Sequence, residues 1–87
     1  MAVEEYVLKT PIVIESLETI EVLRFEEPTL GKMDQCGVSL DEKDLMKIKG
    51  MSALLNACVL NASPLQISRM KLGDLSGAVE ACTGFFS

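Results

Sequence analysis

The stretch Tyr6-Val7-Leu8-Lys9-Thr10-Pro11-Ile12-Val13-Ile14 decides the fold of this chain. Tyr6, Leu8, Thr10, Ile12 and Ile14 fall on one side of a two-residue period, and Val7, Lys9, Pro11 and Val13 on the other. That alternation predicts a strand with one mostly apolar face. Pro11 brings no N–H to a ladder, so the strand lies at an edge or bends there. After a polar break at residues 15–18, residues 19–25 are rich in β-branched and aromatic side chains, with Ile20, Val22, Leu23 and Phe25 apolar. Two strands so close in sequence pair antiparallel as a hairpin. The loop between them has neither glycine nor Asn-Gly, which leaves the register open. An isolated hairpin is marginal in water, so this one must pack on the rest of the chain or on a neighbour.

The remainder of the chain reads as helix. Glu27-Pro28 closes the second strand, because the residue before proline avoids the α region. Thr29 can cap a short helix over Leu30–Cys36, ended by Gly37 in a left-handed conformation. Ser39-Leu40-Asp41-Glu42 fits a capping box, in which the Ser hydroxyl and the Glu carboxylate satisfy free amides reciprocally. A long helix is expected from there to about residue 60, with Leu45, Ile48, Met51, Leu55, Cys58 or Val59, and Ala62 along one face. Gly50 weakens its middle by up to ~1 kcal/mol relative to alanine and marks a kink or a close helix contact. Asn61-Ala62-Ser63-Pro64 ends that helix and starts another, with Ser63 as cap and Pro64 at the first position. Leu65, Ile67 and Met70 are its apolar set. Gly73 and Asp74 mark a last start, and Leu75, Ala78 or Val79, Cys82 and Phe86 form the inner face of the last helix. The fold class is therefore α+β: an N-terminal antiparallel β-hairpin over residues 1–28 and a small bundle of three to four α-helices over 29–87, in one domain.

Composition narrows the function. The chain has 87 residues, of which 48% are hydrophobic. A chain this short buries only roughly 60–65% of the surface that it exposes unfolded, so its core is thin and a partner or oligomer would add to it. With 8 Lys+Arg against 13 Asp+Glu the net charge is −5, which argues against a phosphate backbone as the main partner. There is no His, the commonest general base and metal ligand. The charge is uneven: residues 1–50 hold 11 acids and 6 bases, whereas 51–87 hold only Arg69, Lys71, Asp74 and Glu80. So sparse a charge means that this half either supplies most of the core or leaves an apolar patch for a partner. Cys36, Cys58 and Cys82 are odd in number and irregular in spacing, which makes neither a disulfide framework nor a zinc site. They read as reduced thiols acting as small hydrophobes. Glu4 and Glu5 sit where a signal peptide would be basic, and no apolar run reaches the ~20 residues that span a bilayer. The expectation is a cytoplasmic protein without a membrane partner.

Motifs that carry chemistry are few. Ser68-Arg69-Met70-Lys71 matches S-x-x-K, in which a lysine deprotonates the serine, but the Ser-Asp-Asn and Lys-Thr-Gly elements that accompany it are missing. Asn61-Ala62-Ser63 matches the glycosylation triplet but reads better as a helix break. Asp41, Glu42 and Asp44 lack the glycine and distal glutamate of a calcium loop, and acids belong in a helix's first turn. Lys43, Lys47 and Lys49 read as a solvated face. Met33, Met46, Met51 and Met70 suit core filling first and an adaptable binding face second. No cofactor site and no enzyme activity are expected, for want of a nucleophile and base.

Val22-Leu23-Arg24-Phe25-Glu26-Glu27-Pro28-Thr29-Leu30-Gly31-Lys32-Met33 resembles the "strand, then L-R-x-P-T-x-G-D-L" passage of the small tail assembly chaperones of Mu-like and related contractile-tailed bacteriophages. Leu8-Lys9-Thr10-Pro11-Ile12 is similar to their "L-x-x-P-I". The segment from Ile67 through Leu75, with Gly84-Phe85-Phe86, resembles their "I-x-x-L-x-x-x-D-L … G-F-F" ending. Lys32 stands where the family often has an acid, an extra residue sits between Arg24 and Pro28, and the middle helix has no signature. The resemblance implies a protein that binds the long, apolar, helical tape measure protein and keeps it soluble in the host bacterial cytoplasm while tail tube subunits polymerise around it. Relatives often also yield a longer product by frameshifting, which an amino-acid sequence does not show.

A holdase takes up amphipathic helices on exposed apolar surface and needs net charge to stay soluble. Leu55, Val59, Leu75, Val79, Phe85 and Phe86 are therefore the candidate partner-binding or self-association residues, with the core as their alternative place. Two other classes stay open. One is a structural tail component that forms a homo-oligomer through its hairpin edge. The other is a small regulatory nucleic-acid-binding domain, which the acidic balance disfavours.

Overall fold

The alternating stretch forms the first strand of an antiparallel hairpin in the computed structural model, which describes residues 3–39 and 41–86 and, for Phe86, the backbone only. Strands β1 (Val3–Ile12) and β2 (Ile20–Glu26) precede helices α1 (Leu30–Cys36), α2 (Glu42–Leu45), α3 (Ile48–Cys58), α4 (Pro64–Ser68) and α5 (Leu72–Thr83). A 3-10 turn over Gly84–Phe86 comes last. The fold is α+β, a hairpin followed by helices.

Pro11 does bend its strand. Pairing runs from Val3–Glu26 to Val7–Val22 and resumes at Ile12–Ile20, so Leu8, Lys9, Thr10 and Pro11 together face only Glu21. This wide bulge resets the side-chain phase. Ile20, Leu23 and Phe25 all point inward although Ile20 and Leu23 are three apart, and they join Leu8 and Ile12 in the core. The loop turns without glycine: the Leu17 N–H donates to the Ile14 carbonyl at 3.0 Å. Ser16 takes the positive φ of 80° that such a turn needs.

The other side of β2 is covered too. The Leu60 N–H donates to the Arg24 carbonyl at 2.8 Å, and Val59 bridges Phe25. The Asn61 carboxamide then imitates backbone: its Oδ1 accepts from Arg24 N at 3.0 Å and its Nδ2 donates to the Val22 carbonyl at 2.8 Å.

Helix α1 obeys its signals. Thr29 Oγ1 accepts from Lys32 N at 3.2 Å, and Gly37 ends the helix at φ 72°. The expected long helix is two helices, α2 and α3, with Lys47 extended between them. The reason is steric. A Cβ on Gly50 would lie 1.8 Å from the Asp44 carbonyl oxygen, so α2 folds back onto α3 where only glycine admits it. The box expected at Ser39 and Glu42 does not form. Asp41 caps α2 instead, accepting from Lys43 N at 3.0 Å, while Ser39 Oγ accepts from Asp41 N. A carboxylate is the stronger acceptor beside a helix's positive end. A full capping box does form at α4, where Ser63 N donates to Gln66 Oε1 at 2.8 Å and Gln66 N donates to Ser63 Oγ.

Helix α3 gives Leu54, Leu55 and Cys58 to the core, α4 gives Ile67, and α5 gives Ala78 and Cys82. Asp74 is the one fully buried charged residue among those described. Its carboxylate accepts from Lys9 N at 2.8 Å, Thr10 N at 3.1 Å and the Tyr6 hydroxyl at 3.0 Å. The bulge thus turns two amides away from β2, and α5 answers them with an acid. Burial pushes the Asp74 carboxyl up, but the two amide bonds, the Tyr6 bond and the Lys9 charge outweigh it and hold the group below the ordinary value. Burial first, and then the bond to and charge of Asp74, push the Tyr6 phenol up. Tyr6 reaches Asp74 by crossing α5 at Gly77, where a Cβ would lie 2.3 Å from the ring.

Candidate functional site

Helix α3 separates two concave regions, and helical periodicity assigns its side chains to them. Ile48, Ser52 and Leu55, at i, i+4 and i+7, line one; Lys49, Ala53 and Asn56, one position on, line the other. The second is an open cleft of about 640 Å³ walled by the end of α1 and by α2, with Cys36, Ser39, Asp44 and Lys47 on its sides. Lys47 Nζ sits 3.7 Å from Asp44 Oδ1. Asn56 Oδ1 is buried there without a hydrogen-bond partner.

The first region is an apolar groove of about 160 Å³. Leu55 and Ile67 are its buried floor, and Leu75 and Met70 are half-buried walls. Ile48, at 65% exposure, and Leu72, at 72%, stand at its rim. Both sit at the first turn of their helices, before the turn that packs, which leaves their side chains uncovered. The volume matches the roughly 150 Å³ that takes up a benzene-sized group, so one branched or aromatic side chain fills it.

Of the groups able to react, Ser68 lines the groove and the cysteines lie outside it. The Ser68 hydroxyl donates to the Leu65 carbonyl at 2.5 Å, within its own helix. The three cysteines are free, with Cys58 and Cys82 buried side by side. Their mutual hydrogen bond and burial hold the Cys82 thiol above its ordinary range, which keeps it protonated and inert. No group of three or more His, Cys, Asp or Glu that could hold a metal occurs among the described residues. Among the same residues, no helix is long and apolar enough to cross a membrane. No protein-family model, no curated protein and no solved structure matches this chain.

Of the six residues expected to meet a partner, the five with described side chains do not share one surface. Leu55 is 1% exposed and belongs to the core, offering a partner only the groove floor. Leu75 is the second of the six in the groove. Val59 is spent on the sheet edge beside Phe25, and Val79 and Phe85 pack against the core. Phe86 belongs to the final 3-10 turn, and its side chain lies outside the described part. Ile48, Met70 and Leu72 enter the groove in their place. Spacing alone missed Ile48 and Leu72, because it assigns a face to a helix but not the turn at which a neighbouring element stops covering that face.

The stretches that carry the family resemblance meet in space. Lys9 and Thr10 of the Leu8–Ile12 stretch bond Asp74 of the Ile67–Leu75 stretch, and Leu23 and Phe25 of the Val22–Met33 stretch share the core with Leu8, Ile12 and Ile67. Their polar atoms hold the fold together, and the groove lies beside them.

Proposed function

We propose that this chain is a small phage tail assembly chaperone, a holdase that shelters apolar helical segments of a tape measure protein in the host bacterial cytoplasm while tail tube subunits polymerise. The observation that carries this reading is the apolar groove between α3, α4 and α5, left open with Ile48 and Leu72 exposed at its rim. An amphipathic helix lays anchors at i, i+3 and i+4 into such a groove. Covering Ile48 and Leu72 is worth about 1.5–3 kcal/mol for each side chain fully withdrawn from water. The resemblance to the chaperone family supplies the partner, and the groove supplies the means.

The test is co-production with the tape measure protein of the same genome. The parent chain is expected to keep that protein soluble and to co-purify with it. The double variant Ile48→Asp, Leu72→Asp is expected to fold, by circular dichroism, and to leave the tape measure in the pellet. A folded double variant that holds the tape measure as well as the parent does overturns the reading, as does a parent chain without effect.

A further inference from the structure

One wall of the groove is flanked by cations in an acidic protein. Arg69 and Lys71 bracket Met70 in its wall, whereas Lys47 and Lys49, next to the rim residue Ile48 in sequence, line the other cleft. All four are exposed. Lys47 is paired with Asp44, whereas Lys49, Arg69 and Lys71 join no ion pair among the described residues. Beyond residue 45 the chain has only two acids, Asp74 and Glu80, and Asp74 is sealed against β1. The other 11 acids lie at or before residue 44, so residues 46–87 hold 4 bases against 2 acids within a chain of net charge −5.

We infer that the groove selects an amphipathic helix whose apolar stripe is flanked by Asp and Glu. This rests on the holdase reading in taking the groove as the working face. It adds the charge of the occupant, which neither the family resemblance nor the apolar lining supplies. The cavity takes one branched or aromatic anchor, and Arg69 and Lys71, each between two residues of its lining, meet carboxylates one helical turn away. Lys and Arg stems lie along apolar surface while their heads seek anions, so the same residues extend the groove and set its preference. An anionic bilayer meets this site less well. A concave floor receives a projecting side chain and not a flat surface, and a net charge of −5 opposes approach to anionic lipid.

The experiment uses the whole chain and two labelled peptides of about 20 residues, long enough to hold a helix. They share one leucine stripe and differ in carrying Glu or Lys beside it. Fluorescence anisotropy is expected to show the Glu peptide binding about tenfold more tightly at low salt, with the gap closing as salt rises. Arg69→Glu with Lys71→Glu is expected to remove the preference without changing the circular dichroism spectrum, and Leu72→Asp to weaken both peptides. Equal affinity of the two peptides, with Leu72→Asp still weakening both, overturns the charge selection and leaves the docking face standing. Binding of neither peptide overturns the docking face itself. Binding confined to phosphatidylglycerol vesicles overturns the inference in favour of a membrane surface.

Discussion

Helix α5 begins with two residues two positions apart that have opposite fates. Asp74 is wholly buried and bonded to three donors of β1, while Leu72 is 72% exposed. The polar side chain is inside and the apolar one outside, the reverse of the usual rule. The buried acid is explained by the bulge at Pro11, which presents amides that need an acceptor. The exposed leucine has no such account among the described residues, where no neighbouring element covers the rim of the groove. The hairpin end of the helix layer is closed by specific bonds, and the α3–α4–α5 end is left open. The first holds the buried polar bonds, and the second is where the proposed docking face lies.

That division breaks most visibly at Asp74. Asp74→Ala leaves Lys9 N, Thr10 N and the Tyr6 hydroxyl without their acceptor, and urea unfolding is expected to show a loss of about 3 kcal/mol. The charge has a pH signature. The native group titrates below the ordinary value of 3.8, so its contribution is complete above that value. It is lost as pH falls through the lower native value, because the unfolded chain takes up the proton first. The parent's stability is thus expected to fall more steeply than that of Asp74→Asn in acid unfolding followed below about pH 4. Gly77→Ala comes next. Its methyl group displaces the Tyr6 ring, and the expected loss is about 1–2 kcal/mol even though alanine favours helix. Removing the ring as well, in Tyr6→Leu with Gly77→Ala, should shrink that penalty. At the open end, Leu72→Asp is expected to change the unfolding free energy measured in urea by no more than about 0.5 kcal/mol. A loss as large as that of Asp74→Ala would place Leu72 in the core and abolish the contrast. The smallest effect belongs to the exposed cross-strand pair in which Arg24 Nε donates to Glu5 Oε2 at 3.0 Å. Glu5→Gln should cost about 0.3 kcal/mol and lose even that in high salt.

Much of the fold was legible because its signals are local. The two-residue period marked β1, proline and threonine marked the start of α1, and Ser63-Pro64 marked α4. The break between α2 and α3 was not legible. Leu45, Ile48, Met51 and Leu55 keep a helical period straight across it, and only the contact of Gly50 with the Asp44 carbonyl ends the first helix. Asp74 was visible as an acid in a charge-poor stretch and as the mark of a helix start, but its partners lie 64 or more residues away in sequence, beyond any local pattern. Leu55 and Leu75 reached the candidate site from their period, whereas Ile48 and Leu72 depend on where α4 stops shielding them.

The Asn61 carboxamide has a consequence for how copies of this protein meet. By standing in for a strand beside β2, it removes one flank on which another chain could add. Because it takes the outward groups of Arg24 and Val22, the residues opposite them, Glu5 and Val7, turn their own amides to the far flank of β1. That flank stops at the bulge, where Lys9 and Thr10 are committed to Asp74 and Pro11 has no hydrogen to give. Lateral growth of the sheet into a fibre is therefore shut at one margin by a side chain and cut short at the other. A protein built this way can expose greasy residues on its helices without its strands zipping together.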